Sequence, residues 1–205
     1  MTKFLNKKSC FIGKNVKFGK NVTIYENNHI EGETFIGDNC TLLPGNFIKS
    51  CKVEENCILH ASVLEDSVIK CGAAIGPFAH IRPNSEIGAN CKIGNFVEVK
   101  KSIIGEKTKA SHLTYIGDAQ IGSACNLGCG VIFANYNGKE KNKVIVGDKV
   151  FIGSNSNLVA PLEIESESFI ACGSTITDKV NTGDLAIARA RQTNLKEKAY
   201  KYLKN

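Results

Sequence analysis

Four histidines, three arginines and nine cysteines hold most of the reactive chemistry available to this 205-residue chain. Imidazole titrates near neutrality, so a histidine suits proton transfer in acid–base catalysis. His29, His60, His80 and His112 are separated by 31, 20 and 32 residues, a spacing that does not suggest three of them on one metal. Arginine offers phosphate a bidentate fork. It is scarce here: Arg82, Arg189 and Arg191 are the only three among 26 basic residues. Nine cysteines is an odd number without paired spacing, and no disulfide framework is expected. Cys125 and Cys129 have CxxxC spacing, yet no second Cys or His pair lies nearby to complete a zinc site.

Something must position these groups, and the chain is a six-residue repeat. Large apolar residues recur every six positions at Ile12, Phe18, Ile24, Ile30, Ile36, Leu42 and Ile48. Three more runs follow, from Ile69 to Val99, from Ile121 to Phe133 and from Val146 to Ile176. A helical face repeats near 3.6 and a plain strand near 2, so neither sustains a period of six. Twelve of the nineteen glycines directly follow an Ile, Leu, Val or Phe, which suggests a corner where a side chain would crowd the next layer. Four residues after the large position the occupant is usually small, as at Val22, Thr34, Val97 and Val150. Cys40, Cys57, Cys91 and Cys125 fall in that slot and read as small buried hydrophobes.

The rhythm breaks twice. Lys49 to Ser67 shifts register through irregular corners. Residues 134–145, with Asn-Gly turn chemistry and three lysines, read as a loop thrown out of a corner. The expected organisation is a leader over 1–10, the repeat over 11–178, and a C-terminal arm over 179–205. In that arm Asn194 would cap a short basic helix.

Composition narrows the class. The chain is 42% hydrophobic and 22% charged, against disorder. No apolar run approaches the ~18 residues of a membrane span, and no membrane partner is expected. The start holds no apolar stretch long enough for a signal peptide, so the expected compartment is the cytosol. A net charge of +6 admits nucleic acid, but the lysines are scattered and not clustered with aromatics, so no nucleic-acid partner is expected.

The period resembles the hexapeptide repeat of left-handed parallel β-helix proteins. An all-β left-handed prism of about nine coils follows from that resemblance, roughly 40 Å long at ~4.8 Å per coil. Its ending would be a loop and short helix. Within that superfamily six stretches are more specific: GPFAHIRP at 76–83, IGNFVEVK at 93–100, SHLTYIGD at 111–118, NYNG at 135–138, Gly153-Ser154 with LVAP at 158–161, and ARARQ at 188–192. In this order and spacing they are similar to the acetyltransferase half of bacterial bifunctional N-acetylglucosamine-1-phosphate uridyltransferase/glucosamine-1-phosphate acetyltransferases. Residues 11–70 match only as repeat. The resemblance implies acetyl transfer from acetyl-CoA to the amine of glucosamine 1-phosphate, giving a precursor of the cell-wall sugar nucleotide. It also implies a homotrimer with sites in clefts between prisms. No metal is implied, because the family's magnesium belongs to the nucleotidyltransferase half.

Carried over residue by residue, the resemblance makes His112 the general base, with Glu98 orienting or polarising it. Arg82, Lys100 and Lys141 would hold the sugar phosphate, and Tyr115 and Asn126 the sugar. Cys129, Asn135, Tyr136, Ser154, Cys172 and Arg189 would meet acetyl-CoA. Cys129 and Cys172 stand where the family commonly has alanine, so a covalent acetyl-cysteine is chemically open. Direct attack by the sugar amine is the favoured route, since His112 suffices for it. The rival readings are a hexapeptide acyltransferase for another amino sugar or sugar nucleotide, a γ-type carbonic anhydrase, and a non-catalytic β-helix assembly module.

Overall fold

The computed structural model describes residues 1–203, and it is a left-handed parallel β-helix. Thirty short strands stack into three parallel sheets of eleven, ten and nine strands. The first face includes Lys92–Asn95, Lys109–His112, Asn126–Leu127, Phe151–Ile152 and Phe169–Ile170. The second includes Glu98–Lys100, Tyr115–Gly117, Ile132–Ala134 and Asn157–Val159. The third includes Ile103–Ile104, Ala119–Ile121, Val144–Val146 and Leu162–Ile164.

One large apolar residue per hexad points inward, and from Ile24 onward these residues are buried in a single apolar column. Ile81 is fully buried in it. Ile81→Ala therefore removes packing on both the coil above and the coil below. The expected cost is about 2–5 kcal/mol, read as a fall in the urea midpoint; an unchanged midpoint would contradict a closely packed column.

Ten of the twelve glycines that follow a large apolar residue clear space for the next coil, while Gly76 makes room for the preceding one and Gly117 for the Tyr115 ring. A Cβ on Gly37 would lie 2.6 Å from the Glu54 carbonyl carbon, and one on Gly88 2.5 Å from the Ile104 carbonyl oxygen. The left-handed turn itself falls two residues later, on Asn39 (φ 58°) and Asn90 (φ 57°). Asparagine tolerates that region better than other side chains. Glycine thus gives clearance and asparagine makes these two corners, while Lys107, Ala124 and Lys149 take the same conformation at others.

The register shifts are short corners. Five residues, not six, separate Ile48 from Val53, Leu59 from Leu64 and Leu64 from Ile69, and all of these residues are buried. The same shortening occurs from Val99 to Ile104 and from Ile116 to Ile121. Ser50, Ala61, Asp66, Lys101 and Asp118 take the left-handed conformation there.

Cys40, Cys57, Cys91 and Cys125 are buried, as their slot implied, and each thiol donates to a carbonyl one coil on. Thr108 makes the same bond to Gly122, at 2.8 Å. The slot therefore takes a small side chain, and at Cys40 and Thr108 its donor is satisfied by the next coil. Burial pushes the Cys91 thiol up to about 11, so it stays protonated.

The ladder begins ahead of residue 11, because Lys3–Phe4 pairs with Thr23–Ile24. It ends beyond residue 178, where Leu185–Ala186 pairs with Phe169–Ile170. Glu165 fastens this end: its carboxylate accepts from Lys179 Nζ (2.6 Å) and from the Thr182 amide (3.0 Å) and hydroxyl (3.1 Å). Those contacts, the Lys179 bond foremost, lower its pKa from 4.5 to about 2. A depressed carboxylate stabilises the fold above its unfolded value and loses that contribution as pH falls toward the folded one. Amide exchange at Thr182 should accordingly accelerate as pH drops from about 4.5 toward 2, beyond the intrinsic pH effect, and more weakly in high salt. Protection that holds through that window would remove Glu165 as the fastener.

The basic tail forms one 3-10 turn, Lys198–Lys201, preceded by Glu197 in the left-handed region, in place of a helix capped by Asn194. Every described residue of that turn is exposed, and a short segment with nothing to pack on is marginal as a helix. Residues 204–205 of the expected helix lie outside the described residues.

Candidate active site

Three of the sugar-phosphate candidates gather on the second face. Glu98 and Tyr115 are register partners in adjacent coils, and Lys100 lies opposite Gly117. Because Val99 and Ile116 point inward, their neighbours point out. Glu98 Oε1 accepts from Arg82 Nη1 at 2.7 Å. Asp118 Oδ2 accepts from Lys100 Nζ at 3.5 Å and from Asn135 Nδ2 at 2.5 Å. Asn135 Nδ2 also lies 3.5 Å from the Tyr115 hydroxyl. The Lys100 and Asp118 side chains are only 13% and 15% exposed.

The inserted loop brings a further cation. Gln120 pairs with Ile103 and with Ile145, so this coil lengthens from 17 to 25 residues. The excess forms a small antiparallel turn, with Tyr136 bridged to Lys141 and Asn137 Oδ1 accepting from the Lys139 and Glu140 amides. Lys141 comes back against Lys100, whose amine holds the Lys141 ammonium below its ordinary value. Two amines and one carboxylate leave a net positive cluster suited to a phosphate.

His112 stands at the corner between the first and second faces. Lys109, Asn126, Phe151 and Phe169 are successive register partners. Three residues beyond them stand His112, Cys129, Ser154 and Cys172, one above another along the corner. The Arg189 side chain continues the row, its Cδ 3.7 Å from the position of a Cβ on Gly173. At ~4.8 Å per coil, His112 to Cys172 spans roughly 14 Å, an edge shaped for an elongated ligand.

Both predicted groups are divided between faces of one prism. Lys100 and Tyr115 lie on the second face, Arg82 directly follows one of its strands and Lys141 reaches in from the inserted loop, but Asn126 lies on the first. Cys129, Ser154, Cys172 and Arg189 follow the His112 corner, but Asn135 and Tyr136 lie past the far end of the second face. Glu98 is hydrogen-bonded to Arg82, and His112 Nδ1 instead meets Asn95 Oδ1 at 2.8 Å. The reason is register: Asn95 is the residue paired with His112, while Glu98 belongs to the adjoining face. Sequence reasoning missed Asn95 and Asp118. Coil spacing was the available signal, since each sits 17 or 18 residues from its partner.

Elsewhere on the second face, His29 stacks on Phe11 and Phe47, and His80 binds Glu65 at 3.0 Å. Among the described residues no group of three or more His, Cys, Asp or Glu is placed to hold a metal. No helix among them is long and apolar enough to cross a membrane.

Comparison with known proteins gives the chain a lineage. A family model described as the GMPPB C-terminal domain matches residues 63–161. The bifunctional protein GlmU of Clostridium kluyveri is 51% identical over 193 residues, 94% of this chain and 42% of that protein. GlmU of Shouchella clausii is 46% identical over 190 residues, 93% of this chain and 42% of that protein. The chain thus spans well under half the length of the curated relatives it matches. In structure it is similar to PerB of Caulobacter crescentus, crystallised with CoA and GDP-perosamine. The TM-score is 0.52 at 23% identity, over 57% of this chain and 54% of that one, a likeness of fold. Over nearly its whole length the chain is similar to part of the bifunctional GlmU proteins, and its fold is shared with PerB.

Proposed function

We propose that the chain transfers the acetyl group of acetyl-CoA to the amine of glucosamine 1-phosphate. His112 takes the amine proton as the nitrogen attacks the thioester carbonyl, the C–S bond breaks, and the proton passes to the departing sulfur so that CoA leaves as the thiol. The observation that carries this reading is the 46–51% identity to GlmU proteins across 93–94% of the chain. The charged cluster of Lys100, Lys141 and Asp118 suits the acceptor's phosphate, and the edge from His112 to Arg189 suits the length of acetyl-CoA. The nine free thiols fit a reducing compartment, and we place the reaction in the cytoplasm.

We further propose a homotrimer. Each binding group is split between two faces of one prism, and a neighbouring copy would bring the halves together. Beside His112 the prism exposes Phe78, Phe96 and Leu113, with the two rings stacked 5.6 Å apart. An apolar ridge of this kind fits a subunit contact.

A thiol-release assay with acetyl-CoA and a panel of amino sugars tests the reaction. Release with glucosamine 1-phosphate is expected. Transfer to nucleotide-linked amino sugars alone would replace this reading with another hexapeptide acyltransferase. Acetyl-CoA without sugar should leave Cys129 and Cys172 unmodified; stable acetylation of either would establish a covalent route instead.

A further inference from the structure

We propose that Asn95 is a positioning residue that holds His112 in the tautomer protonated on Nδ1, leaving Nε2 as the basic nitrogen. The rate consequence rests on the acetyltransferase reading above; the tautomer does not.

A neutral imidazole carries one N–H, and an amide oxygen can only accept. With Asn95 Oδ1 2.8 Å from Nδ1, the proton belongs on Nδ1. Nε2 then keeps its lone pair, as a group that must take a proton from an amine requires. The same bond restricts rotation of the ring.

The backbone fixes this pair from both sides. Lys92–Asn95 and Lys109–His112 are paired strands with Asn95 opposite His112. The corners that follow have the same shape, with Phe96 at φ 58° and Leu113 at φ 49°. The Leu113 amide donates to the Asn95 carbonyl at 3.0 Å. Gly94 permits the close stacking, since a Cβ there would meet the Ser111 backbone. A carboxylate in this place would stabilise the imidazolium, whereas an amide orients the ring without that charge. The nearby Glu98 carboxylate is committed to Arg82.

The test is long-range 1H–15N NMR on the histidine-labelled chain at a pH where the ring is neutral, with His112 assigned by its loss in His112→Gln. Wild type should show the Nδ1–H form. Asn95→Ala should move His112 toward the Nε2–H form, and Asn95→Asp, which keeps an acceptor, should retain Nδ1–H. In acetyl transfer Asn95→Ala should lower kcat about tenfold with KM for the sugar phosphate within about twofold. Asn95→Ser, too short to reach the ring, substitutes if the alanine variant does not fold. An Nε2–H form in wild type, or an Nδ1–H form unchanged in the alanine and serine variants, overturns the inference. If the tautomer shifts as expected but wild type transfers no acetyl to glucosamine 1-phosphate, the acetyltransferase reading falls and the positioning role stands.

Discussion

His112→Ala should lower kcat for acetyl transfer by about 10²–10⁴, the usual loss when a general base is removed. That corresponds to roughly 3–5 kcal/mol of barrier. Folding should barely change, because the side chain is exposed and its hydrogen bond, among the described residues, is to Asn95. KM for both substrates should also hold, since the phosphate cluster and the acetyl-CoA edge are built from other residues. The measurement is steady-state kinetics beside a thermal melt. A variant that melts like wild type and turns over at the wild-type rate would remove His112 from the chemistry. It would also revive a non-catalytic β-helix as the alternative. Removing a contact that orients the base costs less than removing the base, so the alanine variant at His112 should fall below the one at Asn95.

The prism was legible because its period is imposed by geometry. A side chain pointing into a triangular coil must be followed by another on the next face, so Ile81, Ile87 and Ile93 mark the fold directly. The short corners were legible only as breaks in rhythm, since no one residue type marks them: Ser50, Ala61, Asp66 and Lys101 take the left-handed conformation there. Side-chain partners were harder. Whether Glu98 faces His112 or Arg82 depends on which face of the prism each residue joins, and that follows from corner lengths accumulated along the chain. The tail misled for a different reason. Residues 195–203 have helical composition, but no surface of the prism covers them, and propensity alone does not make so short a helix.

The acceptor's phosphate should matter as much as the base. Glucosamine lacking the 1-phosphate should show kcat/KM lower by roughly 10²–10⁴, because two charge-assisted hydrogen bonds at about 1.5–3 kcal/mol each disappear. Asp118 accepts from Lys100, and Lys141 lies against Lys100, so the free protein holds two amines against one carboxylate. A dianion completes that balance, whereas a neutral hydroxyl leaves the amines facing each other. The same reasoning predicts non-additivity. Lys141→Ala should cost about tenfold or more in kcat/KM with the sugar phosphate and almost nothing with the bare sugar, since the interaction it removes is already absent there. Competition assays across both acceptors and both proteins give all four values. Equal kcat/KM for the two sugars would place the phosphate outside the cluster. An equal loss from Lys141→Ala with both sugars would mean that the lysine holds the inserted loop in place and does not bind the phosphate.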